Sequence, residues 1–552
     1  MKKKLTTTYF MEKRISYLLL ILSFTFLNQL SAQKTFHLVI GGVGNDQANS
    51  VKQTTDGGYI ATGAIDSLGA GGNDLYLVKT DSAGKVEWTK MYGGKGDDQG
   101  ESVIQARDGG YVAAGYSNSF DKQGYDDYYV VKTNSKGDTL WTRTYGQGGQ
   151  EQANSIQETS DGGYIVAGTS NNVGGMTEKE YFYLIRIDSL GGLIWSKTYN
   201  LTGTGLGAFD NCYSVVQSKD GGFVIAGSSS NLSNGTNYDM YIIKTKANGD
   251  TLWTRNIGGL KQEEAFALNQ TADGGYILTG YSHGFGPSGL FNLYLVKTDS
   301  AGKPMWAKTF GASGFSNNRG HSVQQTKDHG YVIGGYTNIN GTADAYLLKT
   351  DSTGALLWSK AIGGSGGEQA NSVQETRDGG YIVAGYTSSS GAGGNDFYLI
   401  KTDANGNSEC NTQSVATVEV DATAGTFVYQ YAAVVTSGAS VWKIPTVVGK
   451  GGTVSSPCST TTGIEEKSLS SSLNIFPNPT NGEFDVQLTL PLKGNLTFKL
   501  MDMQGRLIYI ETKNQLPGFY ETKIDLSNQA KEIYLLQIIT DNETITKKVV
   551  VN

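Results

Sequence analysis

Short runs of alternating apolar and polar residues recur along about the first 400 residues of the chain, separated by glycine-rich turns. Residues 99–146 are typical. A first run ends at Asp108-Gly-Gly110, where glycine permits the positive φ values of a tight turn, and a second run leads back from Tyr111. Two further runs rich in β-branched and aromatic residues follow, with a turn at Gly137 between them. The pattern predicts four antiparallel strands, which we number first to fourth.

The turn between the first and second strands recurs seven times, usually as Asp-Gly-Gly followed by Tyr or Phe. Its aspartates are Asp56, Asp108, Asp161, Asp220, Asp273, Asp328 and Asp378. Successive aspartates lie 50 to 59 residues apart, and a period of this size is typical of repeat architectures. A residue used in every copy indicates a scaffold role. We therefore predict that each aspartate caps its turn through backbone hydrogen bonds rather than binding a ligand.

The fourth strand carries a tryptophan in six copies and is missing after the seventh. The six are Trp88, Trp141, Trp195, Trp253, Trp306 and Trp358. Phe36, which precedes the first copy, stands in the equivalent position. An N-terminal strand that completes the last repeat would remove an exposed sheet edge. The sequence thus predicts an all-β fold, a seven-bladed β-propeller over residues 33–406, rather than the alternative of an open β-solenoid.

A lysine or arginine lies two positions after each of these tryptophans, on the same face of the strand. This spacing predicts cation–π contacts. Because the pair is repeated in every fourth strand, we expect these tryptophans to pack neighbouring repeats together rather than to stack on sugars.

The two ends of the chain differ from the repeats. Residues 1–32 contain a basic start, an apolar run and the small residues before Gln33, which predicts a cleaved signal peptide, with Met1 and Met11 both open as the start. The apolar run is too short to span a bilayer, and the mature chain has no other candidate segment. Residues 407–470 predict a β-containing linker, and residues 471–552 a further domain.

Charge and cysteine content narrow the classes of partner. A net charge of −7 and a pI near 5.3 argue against nucleic acid and anionic membranes. Of the three cysteines, Cys410 and Cys458 flank the region after the repeats, where a disulfide is one of two open alternatives in an oxidising compartment. Cys212 replaces small residues of other copies, and we expect it to be buried.

One face of the predicted fold carries the uniform hairpins, and the opposite face carries the variable loops, where we expect binding. Residues immediately before the first-strand serine or alanine predict an asymmetric channel lining: Asn49, Glu101, Asn154, Tyr213, Phe266, His321 and Asn371. Three residues earlier, a mostly acidic set recurs: Asp46, Asp98, Glu151, Asp210, Glu263 and Glu368, with Asn318 in the sixth copy. These acids suggest either a cation or polar-ligand ring, or structural hydrogen bonds to the next loop.

No catalytic motif is found among these residues. The four histidines form no HExxH motif, and GxSxG and phosphate-loop motifs are absent. Every repeat has acids, which leaves glycoside hydrolysis open without assigning it to any pair. The sixth copy departs most from the repeat, with Arg319, His321 and His329. We predict neither a metal nor a cofactor, and we leave the catalytic residues unassigned.

The C-terminal segment contains NIFPNPTNG at residues 474–482, FKLMDMQGR at 498–506 and TKKVVVN at 546–552. These words resemble the C-terminal sorting domain of type IX secretion in Bacteroidetes-like Gram-negative bacteria. The resemblance implies a small β-sandwich over residues 471–552, recognised by the outer-membrane translocon and then either removed or used for attachment. It places the protein outside the cell or on the outer-membrane surface. The repeats likewise resemble the DGGY/YLVKTD/W propeller repeats of such chains.

We therefore expect a secreted or cell-surface propeller that acts as a binding module for a glycan or a protein. Two alternatives stay open: an endoglucanase-like glycoside hydrolase acting at the loop-bearing face, and a structural surface scaffold. Some chains with similar repeats bear glycan-hydrolase names, but no residue of this sequence carries that activity over.

Overall fold

The computed structural model describes residues 33–552 except 67–70, 172–178, 202–208, 231–237, 287–289, 312–315, 340, 424–426, 430–432, 437–439, 444–446, 450–452, 458–473, 477–478, 491–493, 503–504, 516–517 and 541–543. The predicted signal peptide lies outside the described residues. The chain divides into two compact units, residues 1–458 and 459–552, and the described residues of both are built from antiparallel sheets.

The described residues of the first unit form seven five-stranded sheets, which we number in the order of their first strands. Four strands of each sheet come from one repeat. In sheets 1 to 3 they are β2 (Gln47–Gln53), β3 (Tyr59–Ile65), β4 (Asp74–Thr80), β5 (Val86–Gly93); β6 (Asp98–Gln105), β7 (Tyr111–Ser117), β8 (Asp127–Thr133), β9 (Thr139–Gly146); and β10 (Glu151–Glu158), β11 (Tyr164–Ser170), β12 (Tyr181–Ile187), β13 (Leu193–Leu201).

The same order continues in the next three sheets. Sheets 4 to 6 contain β14 (Asp210–Gln217), β15 (Phe223–Ser229), β16 (Asp239–Thr245), β17 (Thr251–Gly258); β18 (Glu263–Gln270), β19 (Tyr276–Ser282), β20 (Asn292–Thr298), β21 (Pro304–Gly311); and β22 (Asn318–Gln325), β23 (Tyr331–Thr337), β24 (Asp344–Thr350), β25 (Leu356–Ile362).

Sheet 7 joins the two ends of the repeat region. Its first three strands are β26 (Glu368–Glu375), β27 (Tyr381–Thr387) and β28 (Asp396–Thr402), and its fourth is the N-terminal strand β1 (Phe36–Gly41). Strand β1 pairs with β28 in antiparallel register, with Leu38 opposite Leu399. This is the pairing that the sequence predicts.

Apolar side chains pack each sheet against its two neighbours in chain order. One buried cluster joins sheets 1 and 2, and others join each following pair. A further cluster, which includes Phe36, Phe397, Tyr59 and Tyr76, joins sheet 7 to sheet 1. The order of packing is therefore cyclic, and burial of these apolar faces is the main stabilising contribution.

The tryptophans of the fourth strands lie at these junctions. Trp88 of sheet 1 contacts Tyr111 of sheet 2, with 5.8 Å between ring centroids, and the other five tryptophans make the same contact with Tyr or Phe. Phe36 takes the same place against Tyr59, also at 5.8 Å. Cation–π contacts within the strand are found only for Arg143 over Trp141 and Arg255 over Trp253 among the described residues.

The Asp-Gly-Gly turns are tied to the third strand as well as to their own backbone. Asp378 Oδ1 accepts a hydrogen bond from Gly380 N at 3.2 Å, as the predicted cap requires. Its other oxygen lies 3.1 Å from Lys401 Nζ. An equivalent ion pair joins each of the seven turns to the basic residue of the third strand, whose side chain is at most 6% exposed.

The region predicted as a linker supplies the fifth strand of every sheet. We name residues 412–455 the belt. Its strands are β29 (Thr412–Ser414), β30 (Val418–Asp421), β31 (Phe427–Tyr429), β32 (Ala433–Thr436), β33 (Ser440–Lys443), β34 (Val447–Gly449) and β35 (Thr453–Ser455). They pair in turn with the fourth strands of sheets 6, 5, 4, 3, 2, 1 and 7.

The described residues of the second unit form two antiparallel sheets around one apolar core. The strands are β36 (Asn474–Phe476), β37 (Glu483–Leu490), β38 (Gly494–Asp502), β39 (Leu507–Gln515), β40 (Gly518–Asp525), β41 (Ile533–Thr540) and β42 (Thr544–Val550). Their orders are β36-β37-β40 and β39-β38-β41-β42. Phe484 and Val486 of one sheet and Phe498, Leu500 and Leu536 of the other belong to the shared core.

Candidate functional site

A β-bulge interrupts the first strand of all seven sheets at the same place. The residue left without a cross-strand partner is in each case one of the seven predicted lining residues, which we call the inner ring: Asn49, Glu101, Asn154, Tyr213, Phe266, His321 and Asn371. A bulge redirects the side chain it carries and often lies beside a functional site.

Contacts between neighbouring sheets bring the inner ring together. On the polar side, Asn154 Nδ2 donates to the Cys212 carbonyl at 2.7 Å, and Asn371 Nδ2 donates to the Ala48 carbonyl at 3.0 Å and to Asn49 Oδ1 at 3.3 Å. These residues come from successive first strands. The inner ring therefore continues from one sheet to the next, including from sheet 7 to sheet 1.

The opposite side of the inner ring is aromatic. Tyr213 and Phe266 contact edge to face with 5.1 Å between centroids, and Phe266 contacts His321 in the same way at 5.3 Å. Beyond His321, the Gln369 amide lies 3.0 Å from His321 Nδ1 and donates to Asn371 Oδ1 at 2.7 Å. The inner ring thus has one aromatic half and one amide-rich half.

Burial suppresses ionisation in the inner ring. Desolvation raises the pKa of Glu101 to about 8, so its carboxyl is mostly protonated at neutral pH. The pKa of His321 falls to about 4, mainly through burial and partly through the positive charge of Arg319, although a hydrogen bond with Asn371 opposes this. His321 is therefore a neutral imidazole at neutral pH.

Arg319 lies beside the aromatic half, two residues before His321 on the same strand. Its guanidinium carbon lies 4.4 Å from the ring centroid of Tyr281, 4.9 Å from that of Phe291 and 6.0 Å from that of Tyr336. Tyr281 and Phe291 contact each other edge to face at 4.8 Å. We call Arg319, these three rings, Phe266 and His321 the aromatic cluster.

Rings of the aromatic cluster also contact one another within each of sheets 5 and 6. Phe266 lies 5.7 Å from Tyr281, and His321 lies 5.7 Å from Tyr336. At its edge, Glu264 Oε1 accepts hydrogen bonds from the Tyr281 hydroxyl at 2.5 Å and from Gln262 Nε2 at 2.7 Å. The arrangement offers ring faces, amides and one guanidinium, the groups that proteins use to bind sugars and other polar organic ligands.

The members of the acidic set lie at or next to the start of the same first strands, three residues before the inner ring. They are buried and at most 1% exposed. Glu368 shows the arrangement: its two oxygens accept hydrogen bonds from Thr387 Oγ1 at 2.7 Å and from Gly364 N at 2.8 Å. Asp46, Asp98, Glu151 and Glu263 also accept bonds from backbone N–H groups of adjoining loops. These contacts match the structural alternative of the sequence analysis.

No three His, Cys, Asp or Glu side chains of the described residues are arranged to hold a metal ion. Several members of the acidic set adjoin a second buried acid from the start of a third strand. Burial, followed by the charge of Glu151, raises the pKa of Asp127 to about 7. Burial likewise raises the pKa of Asp239 to about 6 and that of Glu263 to about 7.

His329 does not belong to the aromatic cluster. It takes the place of a turn glycine with φ 63° and lines a cavity of about 320 Å³ with Trp306, Tyr331 and Lys297. Cys212 is buried and free, as expected for a small core residue. Cys410 is disulfide-bonded, and Cys458 lies outside the described residues.

The sequence singled out Tyr213, Phe266 and His321 and noted Arg319, but it missed the second-strand tyrosines of the aromatic cluster. Tyr281 and Tyr336 occupy the sixth position of their strands, which also carries tyrosine in sheets 2 and 7 and has Ala64, Thr169 and Ser228 in sheets 1, 3 and 4. Comparing the copies position by position would have shown that this position varies, but it would not have singled out sheets 5 and 6.

Residues 474–552 match the secretion system C-terminal sorting domain. The C-terminal segment is a sorting domain. It indicates a protein that is secreted or displayed on the cell surface by the type IX system of Bacteroidetes. Within the described residues, no helix combines the length and apolar character needed to cross a membrane.

The chain also has more distant similarities. The regulatory protein FlaEY of Caulobacter vibrioides is 29% identical over 183 residues, which cover 27% of this chain and 18% of the relative. Solved structures with some similarity include Sqt1 of Chaetomium thermophilum, with a TM-score of 0.37, 11% identity and coverage of 70% of this chain and 90% of that one. A tandem repeat of a large adhesion protein gives a TM-score of 0.13 at 10% identity, covering 91% and 98%. At these scores the structural similarities support no argument.

Proposed function

We propose that residues 33–406 form a seven-bladed β-propeller which acts as an extracellular binding module for glycans. Each blade corresponds to one of the seven sheets, and β1 supplies the fourth strand of the last blade. The cyclic order of apolar packing supports this arrangement, because an open solenoid would leave sheets 1 and 7 without mutual contact. The sorting domain supports a location outside the cell.

The aromatic cluster is the observation that carries the binding role. Its first-strand residues Phe266, Arg319 and His321 differ from the residues at their positions in the other repeats, and Phe266 and His321 lie at the bulges of their strands. Aromatic faces beside amide and carboxylate groups suit sugar rings, which present apolar C–H faces and polar hydroxyl edges. A scaffold would have no need for this departure.

We do not extend the proposal to glycoside hydrolysis. Hydrolysis needs two carboxyl groups that face the substrate. Glu151, Glu263 and Glu368 are instead buried against their own loops, which supply hydrogen-bond donors to both of their oxygens.

A glycan array probed with residues 33–552 tests the proposal. We expect retention of one glycan class, and loss of at least ten-fold in affinity when Phe266→Ala removes the central ring of the aromatic cluster. Tyr125→Ala is the matched control, because Tyr125 is an aromatic residue that is 41% exposed in a loop of sheet 2, remote from the aromatic cluster. Retention of no glycan, or equal losses in both variants, would contradict the proposal. Release of reducing ends from a retained glycan would show hydrolysis instead.

A further inference from the structure

Arg319 has a charge that the described residues do not neutralise. No carboxylate forms an ion pair with its guanidinium among them, and no hydrogen bond from its side chain is found there. Its Nε atom is buried without a partner. A buried donor without a partner is costly unless something else satisfies it, which makes this side chain a candidate for ligand contact.

Aromatic rings contact the faces of the Arg319 guanidinium group, but no group of the described residues accepts a hydrogen bond from its N–H edge. Tyr281 and Phe291 contact the guanidinium through cation–π interactions at 4.4 and 4.9 Å. Such stacking leaves the in-plane N–H donors unused, and their planar arrangement matches the two oxygens of a carboxylate. Glu264 lies at the edge of the aromatic cluster, where its Oε1 accepts hydrogen bonds from Tyr281 and Gln262, and none of the ion pairs of the described residues joins its carboxylate to Arg319.

The remaining groups of the aromatic cluster favour an acidic ligand over a basic one. His321 is neutral because burial lowers its pKa to about 4, so Arg319 is the cation that a ligand meets there. In the corresponding first-strand position the other sheets carry glutamine, asparagine or glutamate: Gln47, Gln99, Gln152, Asn211, Glu264 and Gln369. Only the sixth repeat therefore presents a positive charge at this position.

The geometry points to a carboxylate-bearing glycan, a chain of uronic acids, as the ligand class, with the sugar carboxylate bound by Arg319 and the sugar ring resting on the neighbouring aromatic rings. This inference rests on the proposed glycan-binding function and specifies its ligand. Arg319 acts as the specificity residue.

Titration calorimetry with a galacturonate hexasaccharide and with its fully methyl-esterified form tests the inference, because the two probes differ mainly in charge. We expect residues 33–552 to bind the acid at least ten-fold more tightly than the ester. Arg319→Gln should abolish that preference, and Arg319→Lys should retain part of it. Arg107→Gln is the control, since Arg107 is a 62% exposed arginine in a turn of sheet 2.

Each result of this experiment has a definite meaning. Equal binding of the acid and the ester by the unaltered protein, or an unchanged preference in Arg319→Gln, would overturn the inference. If neither probe binds while the array retains a neutral glycan, the inference fails and the proposed function stands. If the array retains nothing, both fail. If circular dichroism shows that Arg319→Gln is unfolded, Arg319→Lys tests the inference in its place. Its affinity for the acid relative to the ester should then be lower than that of the unaltered protein, and an unchanged ratio would overturn the inference.

A second inference comes from the belt. Its seven strands pair with the sheets in the order 6, 5, 4, 3, 2, 1, 7, so it passes each sheet once and ends at the sheet that follows the one where it began. Cys410 lies two residues before β29, and Cys458 lies three residues after β35. The two cysteines therefore mark the two ends of one circuit.

The number and the states of the cysteines indicate which residue is bonded to Cys410. Cys410 is disulfide-bonded, Cys212 is free and buried, and the chain has three cysteines. We infer that a Cys410–Cys458 disulfide closes the belt into a loop around the seven sheets. Belt strands of three or four residues pair weakly by themselves, and covalent closure would hold all seven in place together. The belt also covers the outer edge of every fourth strand.

Peptide mapping without reduction tests the bond, and limited proteolysis tests its effect. We expect a linked peptide pair containing Cys410 and Cys458, and faster cleavage within residues 424–452 after reduction. The double variant Cys410→Ala/Cys458→Ala should be cleaved at that faster rate with or without reductant, which makes it the matched control. A bond from Cys410 to another chain, or equal cleavage of the oxidised and reduced protein, would overturn the inference.

Discussion

Lys349 Nζ lies 2.8 Å from Asp328 Oδ2, and this ion pair joins the third strand of sheet 6 to the turn between its first two strands. The lysine side chain is 5% exposed and the aspartate 59%. Lys349 Nζ also donates to the Thr350 carbonyl at 2.9 Å. The turn aspartate therefore compensates a buried ammonium group, in addition to capping its own turn.

Removing Asp328 alone should lower the free energy of unfolding more than removing both members of the ion pair. We expect Asp328→Ala to lower the free energy of unfolding by about 2 kcal/mol, because the buried ammonium keeps only one acceptor. Adding Lys349→Met should recover part of that loss, because the methionine has no charge to compensate. Chemical denaturation of both variants measures the difference. A double variant less stable than Asp328→Ala would contradict this account.

Much of the repeat architecture could be predicted because the same sequence pattern recurs in every copy. Strand number, turn positions and the pairing of β1 with β28 follow from local patterns and from the missing seventh tryptophan. The ion pair between Lys349 and Asp328 was not predicted, since the two residues are 21 positions apart, one on the third strand and the other in the turn between the first two strands. Only the folded sheet brings them together.

The sequence predicts β structure in residues 407–470, but the pairing of the belt with the seven sheets was beyond prediction for a different reason. Strands of three or four residues, such as Thr412–Ser414, carry almost no periodicity, and their pairing partners lie tens to hundreds of residues away. The aromatic cluster is an intermediate case. Its first-strand members differ from the other repeats, whereas the role of Tyr281 and Phe291 becomes visible only when the folded structure places Arg319 against both rings.

The protein should be more stable at mildly acidic pH than at pH 8. Asp127, with a folded pKa of about 7, and Glu263, also about 7, bind protons more tightly in the folded than in the unfolded state. Between their unfolded values near 4 and these folded values, stability therefore falls as pH rises. Asp328 acts oppositely, because its lysine and turn contacts hold its pKa near 2, so its stabilisation is lost only as pH falls below about 4.

Melting temperature as a function of pH measures this balance, with a maximum expected near pH 4 to 5 and a decrease of about 5 °C by pH 8. In Asp127→Asn the amide can donate to Glu151 at every pH, so this variant should lose less stability at pH 8 than the unaltered protein. Glu409→Gln, at an exposed position, should follow the unaltered protein. A melting temperature that rises steadily up to pH 8 would be inconsistent with the raised pKa values.

Gly302 should resist substitution because of its neighbour as well as its backbone. It has φ 74°, and an added Cβ would lie 2.6 Å from two ring carbons of Trp253. Gly274 has a similar φ of 86° with nothing within 4 Å of an added Cβ, so Gly274→Ala isolates the backbone effect. We expect Gly274→Ala to cost about 1 kcal/mol and Gly302→Ala about 2 to 4 kcal/mol by denaturation. Equal costs would show that Trp253 moves away freely.

Substitutions of Phe36 test whether the N-terminal strand acts as the missing fourth strand. Its side chain is 7% exposed and lies against Gly84, where an added Cβ would be 2.7 Å from the ring, as Gly137 lies against Trp88. If the positions are equivalent, Phe36→Trp should change the free energy of unfolding by less than about 1.5 kcal/mol, whereas Phe36→Ala should cost about 3 to 5 kcal/mol.

Leu140→Ala controls for the general effect of shortening an apolar side chain in a fourth strand, because Leu140 is 57% exposed and should cost little when truncated. Hydrogen exchange of β28 adds a local readout. Phe36→Ala should speed exchange there because β1 covers the edge of β28 in antiparallel register. Unchanged exchange in β28, together with a small loss in Phe36→Ala, would mean that β1 is held in the sheet by its pairing with β28 and the belt strand β35 and not by Phe36.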